Sequence, residues 1–150
     1  MYGIKSILLI ENDPAYSKNI ICAIKNMNVQ YPLVHLHKSE DAFNYLKSCN
    51  KKPWLILLGS NNQNQDSFNL LKIIKSDEKL RIIPLVILAD SNKVQNIVQS
   101  FELGVAGYII KSHDASDIAD TIRTVLEYWT LSELPPDGVE LLQEFGTSLS

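Results

Sequence analysis

The chain has 150 residues, 45 % hydrophobic and 21 % charged, with a net charge of −3. That size and balance fit one globular domain built on a single core, and they exclude a disordered chain. Lys and Arg are dispersed, so no basic stripe points to nucleic acid or to an anionic membrane.

The first apolar run, Ile4 to Ile10, is rich in β-branched residues and predicts a buried strand; its longest uninterrupted part, Ile7 to Ile10, is too short for a signal peptide or a membrane span. Glu11-Asn12-Asp13-Pro14 breaks the run. Asp13 has the chemistry of an N-cap, and Pro14 suits the first helical position, where no backbone N–H is needed. Tyr16, Ile20, Ile24 and Met27 then recur at helical spacing to about Asn28. Leu33 to His37 predicts a second strand. Ser39-Glu40-Asp41 predicts the cap and acidic first turn of a second helix, with Ala42, Tyr45, Leu46 and Cys49 as its inward stripe. Lys51-Lys52-Pro53 ends it in a solvated turn.

Trp54 to Leu58 lacks polar alternation, as a strand covered on both faces does. Such a strand hands its next residue to the carboxyl edge of the sheet, where open α/β folds keep their chemistry. That residue is Gly59, which brings neither a nucleophile nor a ligand. An amide-rich loop follows, and Asp66 is the predicted cap of a third helix carrying Phe68, Leu70, Leu71 and Ile74. Pro84 opens a fourth strand, Leu85 to Ala89. Val94, Ile97, Val98 and Phe101 mark a fourth helix stopping at Gly104, a good C′ residue. Tyr108 to Ile110 predicts a fifth strand with Lys111 at its exit, and Ile118, Ile122, Val125, Leu126 and Trp129 the face of a fifth helix.

Strands alternating with helices, with no room for hairpins, predict an α/β domain over 1–130: a doubly wound, five-stranded parallel sheet with five helices and right-handed crossovers. Residues 131–150 read as an extension, with Leu134-Pro135-Pro136 and a possible short helix from Val139 to Phe145, too poor in apolar residues for a second domain. Cys22 and Cys49 form no CxxC and read as reduced thiols of a cytoplasmic protein. His35 and His37 share a strand face at a spacing that suits a metal, but with no third ligand in view a solvated outer strand is the plainer reading. The chain has no GxGxxG, no GxxxxGK[ST] and no nucleophile elbow, which argues against a dinucleotide enzyme, a nucleoside triphosphatase or a hydrolase.

ILLIENDP, LILL with Asp66 beyond it, IPLVILA and GYIIKS resemble, at these spacings, the receiver domain of two-component response regulators over roughly residues 4 to 130. The YWTLSELP ending, with Ser112 after Lys111, is similar to stand-alone regulators associated with bacterial phytochromes. The resemblance implies a CheY-like, flavodoxin-like fold with strand order 2-1-3-4-5. It also implies a strand-end Asp that accepts a phosphoryl group, two acids on the first loop that hold Mg²⁺, a hydroxyl on the fourth loop and a Lys on the fifth. Carried over by position, the acids fall on Glu11 and Asn12, the acceptor on Gly59, the hydroxyl on Ala89, the lysine on Lys111 and the switch aromatic on Tyr108. Only Glu11, Tyr108 and Lys111 match; Ser67 and Gln63 also depart from the usual Gly and Pro around Asp66.

Phosphoryl transfer needs a nucleophilic oxygen in line, and Gly59 has none. Mg²⁺ favours carboxylate oxygens, and each lost charge–charge contact at about 4 Å removes on the order of 4 kcal/mol at an effective dielectric near 20. Ala89 has no hydroxyl to follow a phosphoryl oxygen. Ser60 should point away from the Gly59 position, and the capping role of Asp13 competes with any role as acceptor. Glu11, Asn12, Asp13, Gly59, Asn61, Ala89 and Lys111 are therefore expected to form a degenerate pocket with no catalytic residue, no cofactor, and Mg²⁺ binding weak or absent. Within that half-empty pocket, Lys111 is expected to pair with Glu11.

The function expected is that of a non-enzymatic signalling protein. It would bind a protein partner, a histidine kinase or another signalling protein, through the fourth-helix and fifth-strand face around Tyr108 and Ala89. Tyr128, Trp129 and Leu134 are candidate homodimer contacts. The alternatives are a receiver phosphorylated at another residue, a structural dimerisation unit, and a flavodoxin-like cofactor protein, the last disfavoured because the acidic first loop repels a phosphate.

Overall fold

The computed structural model describes residues 4–61 and 65–132. Five strands, β1 (Ile7–Ile10), β2 (Leu33–Leu36), β3 (Leu55–Ser60), β4 (Leu85–Ala89) and β5 (Gly107–Ile110), alternate with α1 (Pro14–Lys25), α2 (Ser39–Ser48), α3 (Asp66–Ser76), α4 (Val94–Glu102) and α5 (Ala115–Leu131). All strand pairs are parallel, in the order β2-β1-β3-β4-β5. The strand that holds Gly59 is the central one.

Period-two alternation sorts the strand side chains into two cores. Leu8, Ile10, Ile56, Leu58, Leu85 and Ile87 face α2 and α3, where Ala42, Leu46, Phe68, Leu71 and Ile74 meet them. Ile7, Leu9, Leu55, Leu57, Val86 and Leu88 face α1 and α5, against Ile20, Ile24, Ile118, Ile122 and Leu126. This two-sided burial is why β1, β3 and β4 carry unbroken apolar runs.

Asp13 caps α1, its carboxylate accepting from the N–H groups of Ala15 and Tyr16, and Asp114 caps α5 in the same way. Gly104 follows α4 with φ +97°, a conformation that a side chain would strain.

Several expected boundaries move. The first strand begins at Ile7, since Ile4 is exposed; α1 ends at Lys25, and β2 stops at Leu36. Ser39 and Asp66 are first helical residues rather than caps. The cap positions fall on Lys38, whose side chain has no acceptor, and on Gln65, whose backbone is already helical, and neither makes a side-chain cap bond. Tyr45 and Cys49 are half-buried at the rim of the α2 stripe. The third strand runs on through Gly59 and Ser60, which pair with Leu88 and Ala89, so Gly59 lies inside the sheet and not beyond it. Helix α5 runs to Leu131.

Helix α4 departs furthest from expectation. Three of the four apolar residues that mark it face solvent, Val94, Val98 and Phe101 being 73 %, 48 % and 50 % exposed, while Ile97 is half-buried. Its only buried residue is Ser100, whose hydroxyl donates to the Asn96 carbonyl of the same helix at 2.7 Å. Gln63, Leu134 and the Val139 to Phe145 segment lie outside the described residues.

Candidate functional site

The parallel sheet brings the exits of β1, β3 and β5 to one edge, and Glu11, Gly59 and Lys111 meet there. The Glu11 backbone is fixed first. Its N–H donates to the Leu36 carbonyl at 3.0 Å, and its carbonyl lies 3.0 Å from His35 Nε2. The side chain then crosses the neighbouring strand at Gly59. A Cβ built on Gly59 would overlap Glu11 Oε1, and it would lie 2.7 Å from Glu11 Cδ and 3.0 Å from the Ile10 carbonyl oxygen. Glycine at 59 is what admits the carboxylate. The position expected to be vacant is filled by Glu11.

Lys111 Nζ lies 2.8 Å from Glu11 Oε1, with the two side chains 5 % and 1 % exposed. Among the described residues the ammonium is the only partner of Oε1, while Oε2 accepts from the Asp13 N–H at 3.1 Å. The ammonium also sits 4.9 Å from the centre of the Tyr16 ring, within cation–π range. The Lys111 N–H donates to the Ala89 carbonyl at 2.8 Å, which fixes the direction in which the chain leaves β5. This is a closed, charge-balanced cluster joining the starts of three loops.

Burial pushes the Tyr16 phenol up to about 12, and the Glu11 and Asp90 charges add to the shift. The unfolded phenol ionises near 10.0. With the folded value raised, the native state keeps its proton longer than the unfolded state, so stability falls as pH rises from about 10 through about 12. Tyr16→Phe is expected to remove that part of the alkaline loss. Denaturation midpoints of both proteins across this range check it, and parallel curves would show that the phenol contributes nothing.

The other expected site residues occupy the rim or lie elsewhere. Asn12 is exposed and Asn61 half-buried; both border a cleft of about 650 Å³ beside Glu11 and Gly59, with Phe43 and Ile73 on its apolar side. The Asp13 carboxylate is taken up as the α1 cap. Ala89 is buried at the end of β4. Ser60 follows Gly59 on the opposite face of β3 and is buried. Tyr108 is half-buried, its hydroxyl donating to the Ser91 carbonyl at 2.7 Å and its phenol pushed up by burial. Tyr128 is 60 % exposed and meets Trp129 edge-on at 4.9 Å, near the end of α5 and so at the amino edge of the sheet, away from the cluster.

Three contributors were not anticipated. Tyr16 reads in sequence as a helix-face residue, and only the fold puts its ring beneath an ammonium. Ser67 donates to the Gly59 carbonyl at 2.7 Å and holds the exit of β3. His35 reads as solvated but meets the Glu11 carbonyl; its ring lies 4.4 Å from that of His37, and the described residues contain no group of three or more His, Cys, Asp or Glu placed to hold a metal. At the strand exits Asn12 and Gly59 offer no carboxylate, and the one on Glu11 is paired with Lys111.

No family model matches the chain. Among curated proteins it is similar to response regulator Rcp1 of Synechocystis sp., with 28 % identity over 130 residues covering 83 % of this chain and 88 % of the relative. Among solved structures it is similar to the phosphorylated cyanobacterial phytochrome response regulator RcpA, with a TM-score of 0.82 and 31 % identity over 89 % of this chain and 100 % of that one. The Mn²⁺-bound form of Rcp1 superposes with a TM-score of 0.80 and 28 % identity, over 88 % of this chain and 99 % of that one.

Proposed function

Because the chain belongs to the receiver domain family of two-component response regulators and is similar to phytochrome response regulators, we propose that it is a degenerate receiver that signals by binding a protein partner without being phosphorylated at the usual position. The observation that carries this reading is the Gly59 position itself: it has no acceptor oxygen, and the space over it is taken by a carboxylate already paired with Lys111. Mg²⁺ binding is weak or absent in this reading, no other cofactor is needed, and the protein is not an enzyme. The partner is a histidine kinase or another signalling protein of the cytoplasm. The exposed Val94, Val98 and Phe101 of α4, with Ile110 on β5, give it an apolar face to bind. No helix among the described residues is long and apolar enough to cross a membrane.

Incubation with acetyl phosphate and Mg²⁺ is expected to leave the mass of the intact protein unchanged. An acid-labile gain of one phosphate would overturn the reading and would favour a receiver modified at another residue. Self-association at the exposed Tyr128 end of α5 is a second reading, which light scattering decides.

A further inference from the structure

Gly59 and Glu11 are coupled by space as well as by charge. Any side chain on residue 59 would begin where the Glu11 carboxylate stands. The Glu11 backbone is held by His35 and Leu36, and its carboxylate by the Asp13 N–H on Oε2 and the Lys111 ammonium on Oε1, so moving it aside breaks those two contacts. Lys111 is enclosed as well, with the Tyr16 ring against its ammonium and a single carboxylate beside it. A second carboxylate brought in on residue 59 would compete with Glu11, as it is now placed, for that ammonium.

We propose that residues 11 and 59 form a compensated pair, in which Glu11 has taken over the volume and the charge of the residue 59 side chain and serves as the fixed counter-ion of Lys111. The pair ties the exit of β1 to the exit of β5 with no modification required. The strand that carries Tyr108 is thereby held in one arrangement by the chain's own carboxylate. This deepens the reading of the site as an unphosphorylated receiver and rests on it. A direct consequence is that Gly59→Asp by itself does not rebuild an acceptor site: the new carboxylate meets Glu11 before it meets Lys111.

The test compares thermal unfolding of the unaltered protein, Gly59→Asp, Glu11→Ala and the exchange variant carrying both. Each single substitution is expected to lower the midpoint by roughly 10 °C, one by crowding two carboxylates and the other by stranding a buried ammonium. The exchange variant, with one carboxylate again beside Lys111, is expected to recover more than half of the combined loss. Losses that simply add, or Gly59→Asp melting with the unaltered protein, would overturn the proposal. Should Gly59→Asp fail to fold, Gly59→Ala with and without Glu11→Ala makes the same comparison with a single methyl group in the contested space. Amine-directed labelling read by mass spectrometry gives a second readout. Lys111 should be protected in the unaltered protein and the exchange variant but labelled in Glu11→Ala, and equal labelling in all of them would remove the counter-ion role. Acetyl phosphate treatment of the unaltered protein keeps the two ideas apart: a mass gain there counts against the unphosphorylated reading, whereas the coupling of 11 with 59 is decided by the unfolding data.

Discussion

Lys111→Met is expected to lower stability by about 3–5 kcal/mol, because it leaves the Glu11 carboxylate buried without its counter-charge. The Asp13 N–H on Oε2 would then be the only polar contact of that side chain among the described residues. A neutral pair behaves differently. Lys111→Met with Glu11→Gln removes both charges together, and since replacing a buried ion pair by uncharged groups of similar volume is often close to neutral, the double variant should regain most of the loss. Chemical denaturation measures both. A loss under about 1 kcal/mol for Lys111→Met would mean that the pair behaves like a solvated one despite its enclosure.

Phe101→Asp together with Val98→Asp should weaken partner binding by at least about 2 kcal/mol, or roughly 30-fold, while shifting the stability of the free protein by no more than about 0.5 kcal/mol per site. The asymmetry follows from where these side chains lie. Both are about half exposed on α4 and belong to neither apolar core, so charging them disturbs the free protein little. A charge on that face has to be desolvated if a partner covers it. Affinity capture of a partner from cell extract with the intact protein, followed by titration of that partner with the variant, tests the pair of outcomes. Undiminished binding would move the interaction surface away from α4 and β5.

The sheet was legible because its inner strands obey a strong rule: LILL and LVILA are apolar throughout since both of their faces are covered. The α1 cap was legible because an Asp followed by Pro has one strongly favoured use. Ser39 and Asp66 were harder, since a residue with capping chemistry is equally at home in the first turn, and only the backbone decides. Helix α4 shows the limit of periodicity: spacing identifies a helical face but not what the face meets, and here it meets solvent.

At the site, the Glu11–Lys111 pair could be read from residue types at known positions. The filling of the Gly59 position could not. It depends on a side chain crossing from an adjacent strand, and one-dimensional spacing says which residues share an edge but not whose atoms occupy the gap between them. Tyr16 and Ser67 escaped for the same reason, because each acts on a residue far away in sequence through a contact that the sheet register creates.

Helix α4 alone among the five helices has no apolar side chain in the core. What anchors it is Asn96, which donates to the Ser91 hydroxyl, and the turn that follows, where Leu103 packs against the core and Val105 is buried. A partner lying over Val98 and Phe101 would therefore supply the apolar contact that the domain itself withholds. Ordering of this helix and recognition would then draw on the same free energy, so a sequence change that tightens α4 against the sheet would raise affinity without touching the partner.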